Sequence, residues 1–342
     1  MLEPNLAPKL FCVGNVMVDS FASADEEFAR RYGINEPVQH IEHSRLAAAI
    51  GELPEAVSCS GGGAANVAKI AALLGTRVHF TGALGTDEPG RFFAGELKEA
   101  GVRLNLLPRK TPTGRCLILK LGDAVRIAAA PAAALELDAD DIDREDIRDA
   151  AAVVIDGYLM GRQKLVRYIL ETANHCGTTV ALDLSSVPIA RERAHEILTY
   201  SRVYPLILFM NEDEAGAFFR TISSHEDAGG GEELDGEMSD FFRGLTANEL
   251  FPIVAIKRGK RGAVVFAAGR IHRENVFAVK PRDSTGAGDA FCAAFLSAWI
   301  RGRTPGECAS LGNKVARETL TVPGAAVNRA RIAALGKPLN RA

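Results

Sequence analysis

The residues best suited to chemistry lie in one short stretch, Asp283-Ser284-Thr285-Gly286-Ala287-Gly288-Asp289. Gly286, Ala287 and Gly288 carry little or no side chain, and they head an apolar run, Ala290 to Ile300, that includes Phe291, Phe295, Leu296 and Trp299. A run with no polar face at helical period reads as a buried helix. Its first backbone N–H groups lack partners within the helix, which makes its N-terminus an anion site. Asp289 falls in the first turn, where the helix field favours a carboxylate. A base beside an anion hole suits phosphoryl transfer: the carboxylate takes a hydroxyl proton while the amides stabilise charge on the migrating group. A helix cap behind a tight glycine turn fits the same spacing.

A second polar set lies near the N-terminus. Leu10–Val13 reads as a buried strand ending at Gly14, followed by Asn15 and Asp19 in an N-x-x-x-D pattern. Asn donates and accepts and Asp accepts, so the pair suits gripping hydroxyls, although turn chemistry accounts for it equally well. Further on, Gly61-Gly62-Gly63 and Asn66 precede the helical Val67–Gly75. The glycines allow close backbone approach to a ligand. Gly61-x-Gly63 begins a dinucleotide fingerprint, but Asn66 stands where its third glycine belongs and Ser58-Cys59-Ser60 is a poor strand.

These residues need a scaffold, and its elements are legible. Asp25 to Glu55 is polar, with helix-like pieces at Glu26–Tyr32 and Glu42–Gly51; Val78–Thr81 reads as a strand. A helix opening at Gly85–Gly90 ends near Gly101, with Asp or Thr as its cap and Pro89 in its first turn. Thr113–Leu121 and Val125–Ile127 form a hairpin about Gly122-Asp123. After Leu135, strands at Ala151–Ile155, Thr178–Leu182, Leu206–Met210 and Phe251–Ile256 alternate with helices, including Arg162–His175 and one around Arg191–Tyr200. That alternation implies a parallel sheet covered on both faces, with ligands beyond the carboxyl ends of its strands. Asn15, Asp156, Asp183 and Asn211 all fall there. Asn211 and Glu214 suit either a hard cation or a helix cap. Lys257-Arg258-Gly259-Lys260-Arg261-Gly262 is a basic glycine turn, and no G-x-x-x-x-G-K-[ST] motif occurs in the chain. Thr221 to Phe242 holds seven acidic residues, four glycines and no Lys or Arg, the composition of a solvated insertion.

The Asp283–Asp289 stretch resembles the C-terminal signature D-T-x-G-A-G-D of the ribokinase/PfkB family of sugar and nucleoside kinases, with Ser284 where Thr is usual. Gly61-Gly62-Gly63 with Asn66 resembles that family's N-terminal signature, and Asn211 with Glu214 its N-x-x-E motif. The resemblance implies an α/β fold: a ribokinase-like three-layer αβα core with a mainly parallel sheet, plus a small β-sheet lid. Residues 1–14, 60–102 and 128–342 would form the core, and 15–59 with 103–127 the lid and substrate-binding segments. It implies transfer of the γ-phosphoryl of ATP, with Mg2+, to a primary hydroxyl of a sugar or nucleoside. Asp289 would be the base and Gly286, Ala287 and Gly288 the anion hole; Asn15, Asp19, Gly61, Gly62, Gly63 and Asn66 would hold the acceptor. Arg126 resembles an arginine that neutralises phosphate charge, although the spacing from Gly122 is one residue long. Asn211, Glu214, Lys257, Gly259, Gly262, Asp283, Thr285 and Asn313 would border the nucleotide, Glu214 reaching the magnesium through water, and Gly324-Ala325 would form the closing loop. Members of the family often place a monovalent cation such as K+ near the anion-hole loop. The lid would exclude water, and its exposed edge can pair with another subunit in a homodimer.

For the acceptor, the long stretch between Asp19 and Gly61 and the run Asp156-Gly157-Tyr158-Leu159 look more like the adenosine-kinase branch than ribokinase proper. An adenosine-like nucleoside is therefore favoured over a free sugar of the ribose, fructose or 2-keto-3-deoxygluconate type. A non-catalytic sugar-binding regulator would keep the binding residues and lose the base, and here Asp289 and its glycine loop are both intact.

The composition of the chain narrows its partners. A chain of 342 residues with 47% hydrophobic and 24% charged residues has ample material for a large core. A formal charge of -3 speaks against nucleic acid as an obligatory partner. No apolar run reaches the roughly 18 residues a membrane span needs. The six cysteines are scattered in mostly apolar surroundings without C-x-x-C, as in a reduced cytoplasmic protein.

Overall fold

The computed structural model describes residues 7–223, 236–276, 279, 285–320 and 327–340. Its strands, in chain order, are β1 Lys9–Val13, β2 Met17–Ser23, β3 Val38–His40, β4 Val57–Gly61, β5 Arg77–Gly85, β6 Arg103–Arg109, β7 Gly114–Leu121, β8 Ala124–Ala130, β9 Ala152–Asp156, β10 Thr179–Asp183, β11 Leu206–Asn211, β12 Ile253–Lys257, β13 Ala263–Ala267 and β14 Arg270–Glu274. Nine build a large sheet in the order β14-β13-β12-β11-β10-β9-β1-β5-β6, and five build a second sheet, β3-β8-β7-β2-β4. The large sheet is parallel from β6 to β12, and β13 and β14 add antiparallel. Its central strands read AVVID, TVALD, LILFMN and IVAIK, the near-continuous apolar runs required when helices cover both faces.

Each of those runs stops at a polar residue, and the register aligns the stops. Asp183 sits beside Asp156, and Asn211 beside Lys257. One edge of a dry sheet thus carries a row of ionisable and amide groups. Facing this edge is the N-terminus of the helix Ala287–Trp299, whose residues from Ala290 to Ala298 are all buried. The helix packs between Gly63–Leu73 and Pro305–Thr319. Phe295 sets its ring edge-on against Phe209 of β11 at 5.3 Å and 84°. Gly312 permits the close approach of Pro305–Thr319, since a Cβ there would lie 2.6 Å from the Phe291 ring.

The second sheet is the lid. Its strands alternate, and one face (Leu117, Leu119, Leu121, Ala128, Ala130) is buried under the helices Glu26–Arg31 and His43–Gly51 with Phe28, Leu46 and Ile50. The polar stretch from Asp25 to Glu55 therefore roofs the lid. Ser58-Cys59-Ser60, a poor strand by composition, lies in the edge strand β4, where the Ser58 and Ser20 hydroxyls meet at 3.0 Å. The segment 103–127 divides between the two sheets: β6 pairs with β5 in the large sheet, and the lid hairpin begins at Gly114.

Two local expectations change. The helix expected around Arg191–Tyr200 is broken into Val187–Glu192 and Ala194–Ser201, because Arg193 leaves helical geometry at φ -106, ψ 1. The end of the acidic insertion is packed: Gly236–Ala247 is a helix that buries Met238 and Phe242, while 224–235 lies outside the described residues. With Phe295 fully buried, Phe295→Ala is expected to lower unfolding stability by about 3–5 kcal/mol in urea titration. A loss within error would show that this helix does not anchor the core.

Candidate active site

Gly286 turns the chain into the helix Ala287–Trp299 at φ 77, ψ -2, a left-handed conformation that favours glycine, and among the described residues no side chain caps that helix. Asp289 is in its first turn, and its carboxylate accepts a hydrogen bond from Asn66 Nδ2 at 2.9 Å. Burial, reinforced by the charge of Asp183 nearby, pushes Asp289 up to about 7, although Asn66 and Lys257 pull the other way. The helix field alone predicts the opposite direction, but its effect is about 1 kcal/mol, and desolvation of a buried carboxylate outweighs it. Asp289 therefore titrates near neutrality, where a general base works best.

The residues expected to hold the acceptor come from β2, β4 and the helix Gly63–Leu73. Asn66 projects from the first turn of Gly63–Leu73, and its Oδ1 is buried without a hydrogen-bond partner. Asp19 is on β2, buried, and raised to about 6 by burial despite Lys69. The glycines are necessary because these side chains pack on them: a Cβ at Gly61 would overlap the Asp19 carboxylate, and one at Gly62, which has φ 96, would overlap the Asn15 carbonyl. Gly63 lies under Asp156, whose carboxylate accepts from the amides of Ala64 at 3.3 Å and Tyr158 at 3.1 Å. The Asn15 Oδ1 accepts from Arg162, a residue that no motif in the sequence marks.

Beneath the Gly286–Gly288 turn lies a charged cluster. Lys257 Nζ sits 2.6 Å from Asp183 Oδ2, and Cys292 Sγ donates to the same oxygen at 3.0 Å. A Cβ on Gly288 would be 3.3 Å from that ammonium. Burial opposes its charge, yet the carboxylates of Asp183 and Glu214 hold the Lys257 ammonium above its ordinary value. Asn211 and Glu214 satisfy each other: Glu214 accepts from Asn211 N at 2.8 Å and Nδ2 at 2.9 Å, and Asn211 Oδ1 accepts from Glu214 N at 2.9 Å. Burial lifts Glu214 to about 6.

A cavity of about 260 Å3 opens on the far side of Gly288. Lys257, Gly259, Gly262 and Asn313 line it together with Phe291 and Lys260. The two arginines of the basic turn face elsewhere, since Arg258 and Arg261 both pair with Glu212, at 2.9 and 2.7 Å. Asn313 gives its Nδ2 to the Glu274 carbonyl at 2.9 Å, so the amide oxygen is the end that can meet a base amine. Thr285 borders a crevice with Gly286 and Asn66. Asp283, Gly324 and Ala325 lie outside the described residues, as does part of the loop to which the K+ expectation refers.

Arg126 is a correction. Strand parity puts it with Ala128 and Ala130 on the lid face covered by helices, where it binds the Ile34 carbonyl at 2.9 Å and Glu26 at 2.9 Å. The opposite face of the lid carries Asp19, Cys59 and Cys116 in one row. Burial first, and then the carboxylates of Asp156, Glu214 and Asp289, raise the Tyr158 phenol, while the Asp19 carboxylate on Gly61 and Asp156 on Gly63 bring that row to the carboxylate edge. Among the described residues, no group of three or more His, Cys, Asp or Glu has the arrangement of a metal site, and no helix is long and apolar enough to cross a membrane.

Residues 34–331 match the family described as pfkB family carbohydrate kinase. The chain belongs to that family. It is a phosphotransferase with an alcohol acceptor, and the two-sheet architecture above is ribokinase-like. The 5-dehydro-2-deoxygluconokinase of Clostridium perfringens is 26% identical over 268 residues, covering 71% of this chain and 72% of that protein. The protein of the same name from Geobacillus kaustophilus is 28% identical, covering 69% and 71%. Among solved structures, adenosine kinase from Sinorhizobium meliloti superimposes with a TM-score of 0.83 at 25% identity, covering 97% of this chain and 99% of that one. A probable sugar kinase from Rhizobium etli gives 0.81 at 24% identity, covering 96% and 99%.

For this PfkB kinase, the raised Asp289 sets the expected pH dependence. Asp289 is protonated below about 7, so a proton transfer that uses it as base should lose kcat/KM about tenfold per pH unit on the acid side. Asp183→Asn removes a charge that raises it and should move this limb to lower pH. A profile flat from about pH 6 to 8 would dissociate Asp289 from the proton transfer.

Proposed function

We propose that this kinase phosphorylates the primary hydroxyl of an adenosine-like nucleoside, using Mg–ATP. The observation that carries this reading is a two-tone lid face. Its inner row is Cys59, Asp19, Cys116, Ala129 and His40; the next row outward is Val57, Phe21, Ile118, Ile127 and Val38, apolar across all five strands. Val38 is 67% and Val57 58% exposed, an uncovered apolar band beside a polar pocket. An acceptor with hydroxyls at one end and a flat apolar body at the other covers both rows. A sugar acid, the acceptor named for the Clostridium perfringens relative, would leave the outer row bare.

In the reaction, Asp289 takes the proton of the acceptor hydroxyl as its oxygen bonds to the γ-phosphorus, and the bond to ADP breaks. The amides of Gly286, Ala287 and Gly288 receive the charge on the equatorial oxygens, with the Lys257 ammonium behind them. Asn66 and Asp19 hold the acceptor's hydroxyls, and the lid keeps water from competing for the phosphoryl. Gly259, Gly262 and Asn313 border the nucleotide. A magnesium ion on the phosphates would neutralise charge, and Glu214 fits it through water: two of its lone pairs serve Asn211 and the rest can accept from coordinated waters. A homodimer through the lid would cover the same apolar row, so sedimentation with and without acceptor belongs beside the kinetics.

Asp289→Asn is expected to lower kcat about 10²–10⁴-fold with the fold intact by circular dichroism, and near-full turnover would remove the base assignment. Adenosine should exceed 5-dehydro-2-deoxygluconate in kcat/KM, and Ile118→Ser should raise the adenosine KM about tenfold. Preference for the sugar acid, unaffected by Ile118→Ser, would overturn the nucleoside reading and leave the kinase assignment standing.

A further inference from the structure

Four segments join the lid to the core, and two of them lie where β1 runs through Gly14, Asn15 and Val16 into β2 and where β8 returns through Pro131 into the turn Ala132–Glu136. One side chain touches both crossings. Arg162, at the start of the helix Gln163–Cys176, donates Nη1 to the Ala134 carbonyl at 2.5 Å and Nη2 to Asn15 Oδ1. Its Nε is buried without a hydrogen-bond partner, and the Asp156 carboxylate lies near enough to act on its charge. The planar fork is what lets one residue reach two oxygens on separate segments.

The bond to Asn15 also fixes that amide's polarity. Guanidinium only donates, so the Asn15 oxygen must face Arg162, and the two hydrogens of Nδ2 are the end left for a ligand. Asn66 is oriented the other way for the same kind of reason. An ionised Asp289 only accepts, so Asn66 gives it Nδ2, and the Asn66 oxygen remains buried and unpartnered. The two amides thus present opposite faces, a donor at residue 15 and an acceptor at residue 66.

We propose that Arg162 is a positioning residue that clamps these two of the four lid crossings to the core and presents Asn15 to the acceptor as a hydrogen-bond donor. The acceptor then meets Asn15 with an oxygen lone pair and Asn66 with a hydroxyl proton. Arg162 touches neither reacting oxygen and acts through Asn15. The clamp stands on contacts alone; the part concerning the acceptor rests on the nucleoside reading above.

The test uses the full chain with Arg162→Met, Arg162→Lys and Asn15→Asp. In amide hydrogen exchange without acceptor, Arg162→Met and Arg162→Lys should both speed exchange at 14–17 and 131–135 by about tenfold, with the helix Gln163–Cys176 unchanged. Lysine keeps the charge and loses the fork, so wild-type protection in Arg162→Lys would overturn the clamp. Asn15→Asp still accepts from Arg162 and should keep that protection, yet raise the KM for adenosine at least about tenfold with kcat less affected. In Arg162→Met the preference for adenosine over its 2′-deoxy and 3′-deoxy analogues should collapse; a preserved preference would overturn the presentation of Asn15. If the wild-type enzyme ignores adenosine, the nucleoside reading fails, and the exchange data still decide for or against the clamp.

Discussion

The carboxylates of Asp156, Asp183 and Asp289 gather at one sheet edge around the Lys257 ammonium, and the rest of the site follows from how that imbalance is managed. Asp156, Asp183 and Asp289 come from two strand ends and a helix start, and each raises or feels the charge of another. Lys257 pairs with Asp183, which takes the nearest positive charge away from Asp289. Asp156 is stabilised by amides at the start of Gly63–Leu73 and by Arg162. Asp289 has one neutral donor, Asn66, and is left as the group that most readily takes a proton. The same parallel sheet that brings strand ends together thus separates carboxylates held by partners, Asp156 and Asp183, from the one most ready to take a proton, Asp289.

The lid supplies what the core edge lacks. Its strands deliver Asp19 and the Gly61–Gly62 turn to the carboxylate edge, and its helices seal the outer face. Because alternate residues point to opposite faces, one sheet serves both a small core of its own and an acceptor pocket. Glycines at 61 and 62 are where the two bodies interpenetrate, with the Asp19 carboxylate and the Asn15 backbone occupying the space of the missing side chains.

Much of this was legible in the sequence, and the exceptions have physical reasons. Buried strands ending in polar residues announce themselves, as Asp156, Asp183 and Asn211 do. So does a glycine pair before an all-apolar helix, which located Asp289. Parity is less visible: Arg126 was expected at the phosphate, and one extra residue after Gly122 suffices to send it to the helix-covered face. Arg162 carries no spacing signal, because its partners lie in segments far away in the chain. The direction of the Asp289 shift also escaped the sequence, since the helix position is local but burial belongs to the whole fold. Strand β2, with alternating Met17, Asp19 and Phe21, hides its pattern because a pocket residue interrupts the apolar face.

On the reading proposed above, the amides heading the helix Ala287–Trp299 receive the migrating phosphoryl while Asp289 faces the acceptor oxygen. A crystal structure with adenosine, ADP, magnesium and aluminium fluoride tests it most directly. The fluoride mimic is expected within about 3 Å of the Ala287 and Gly288 amides, with the Asp289 carboxylate in hydrogen-bond reach of the nucleoside's primary hydroxyl. A mimic bound away from that turn, or an Asp289 carboxylate turned from the acceptor, would contradict it.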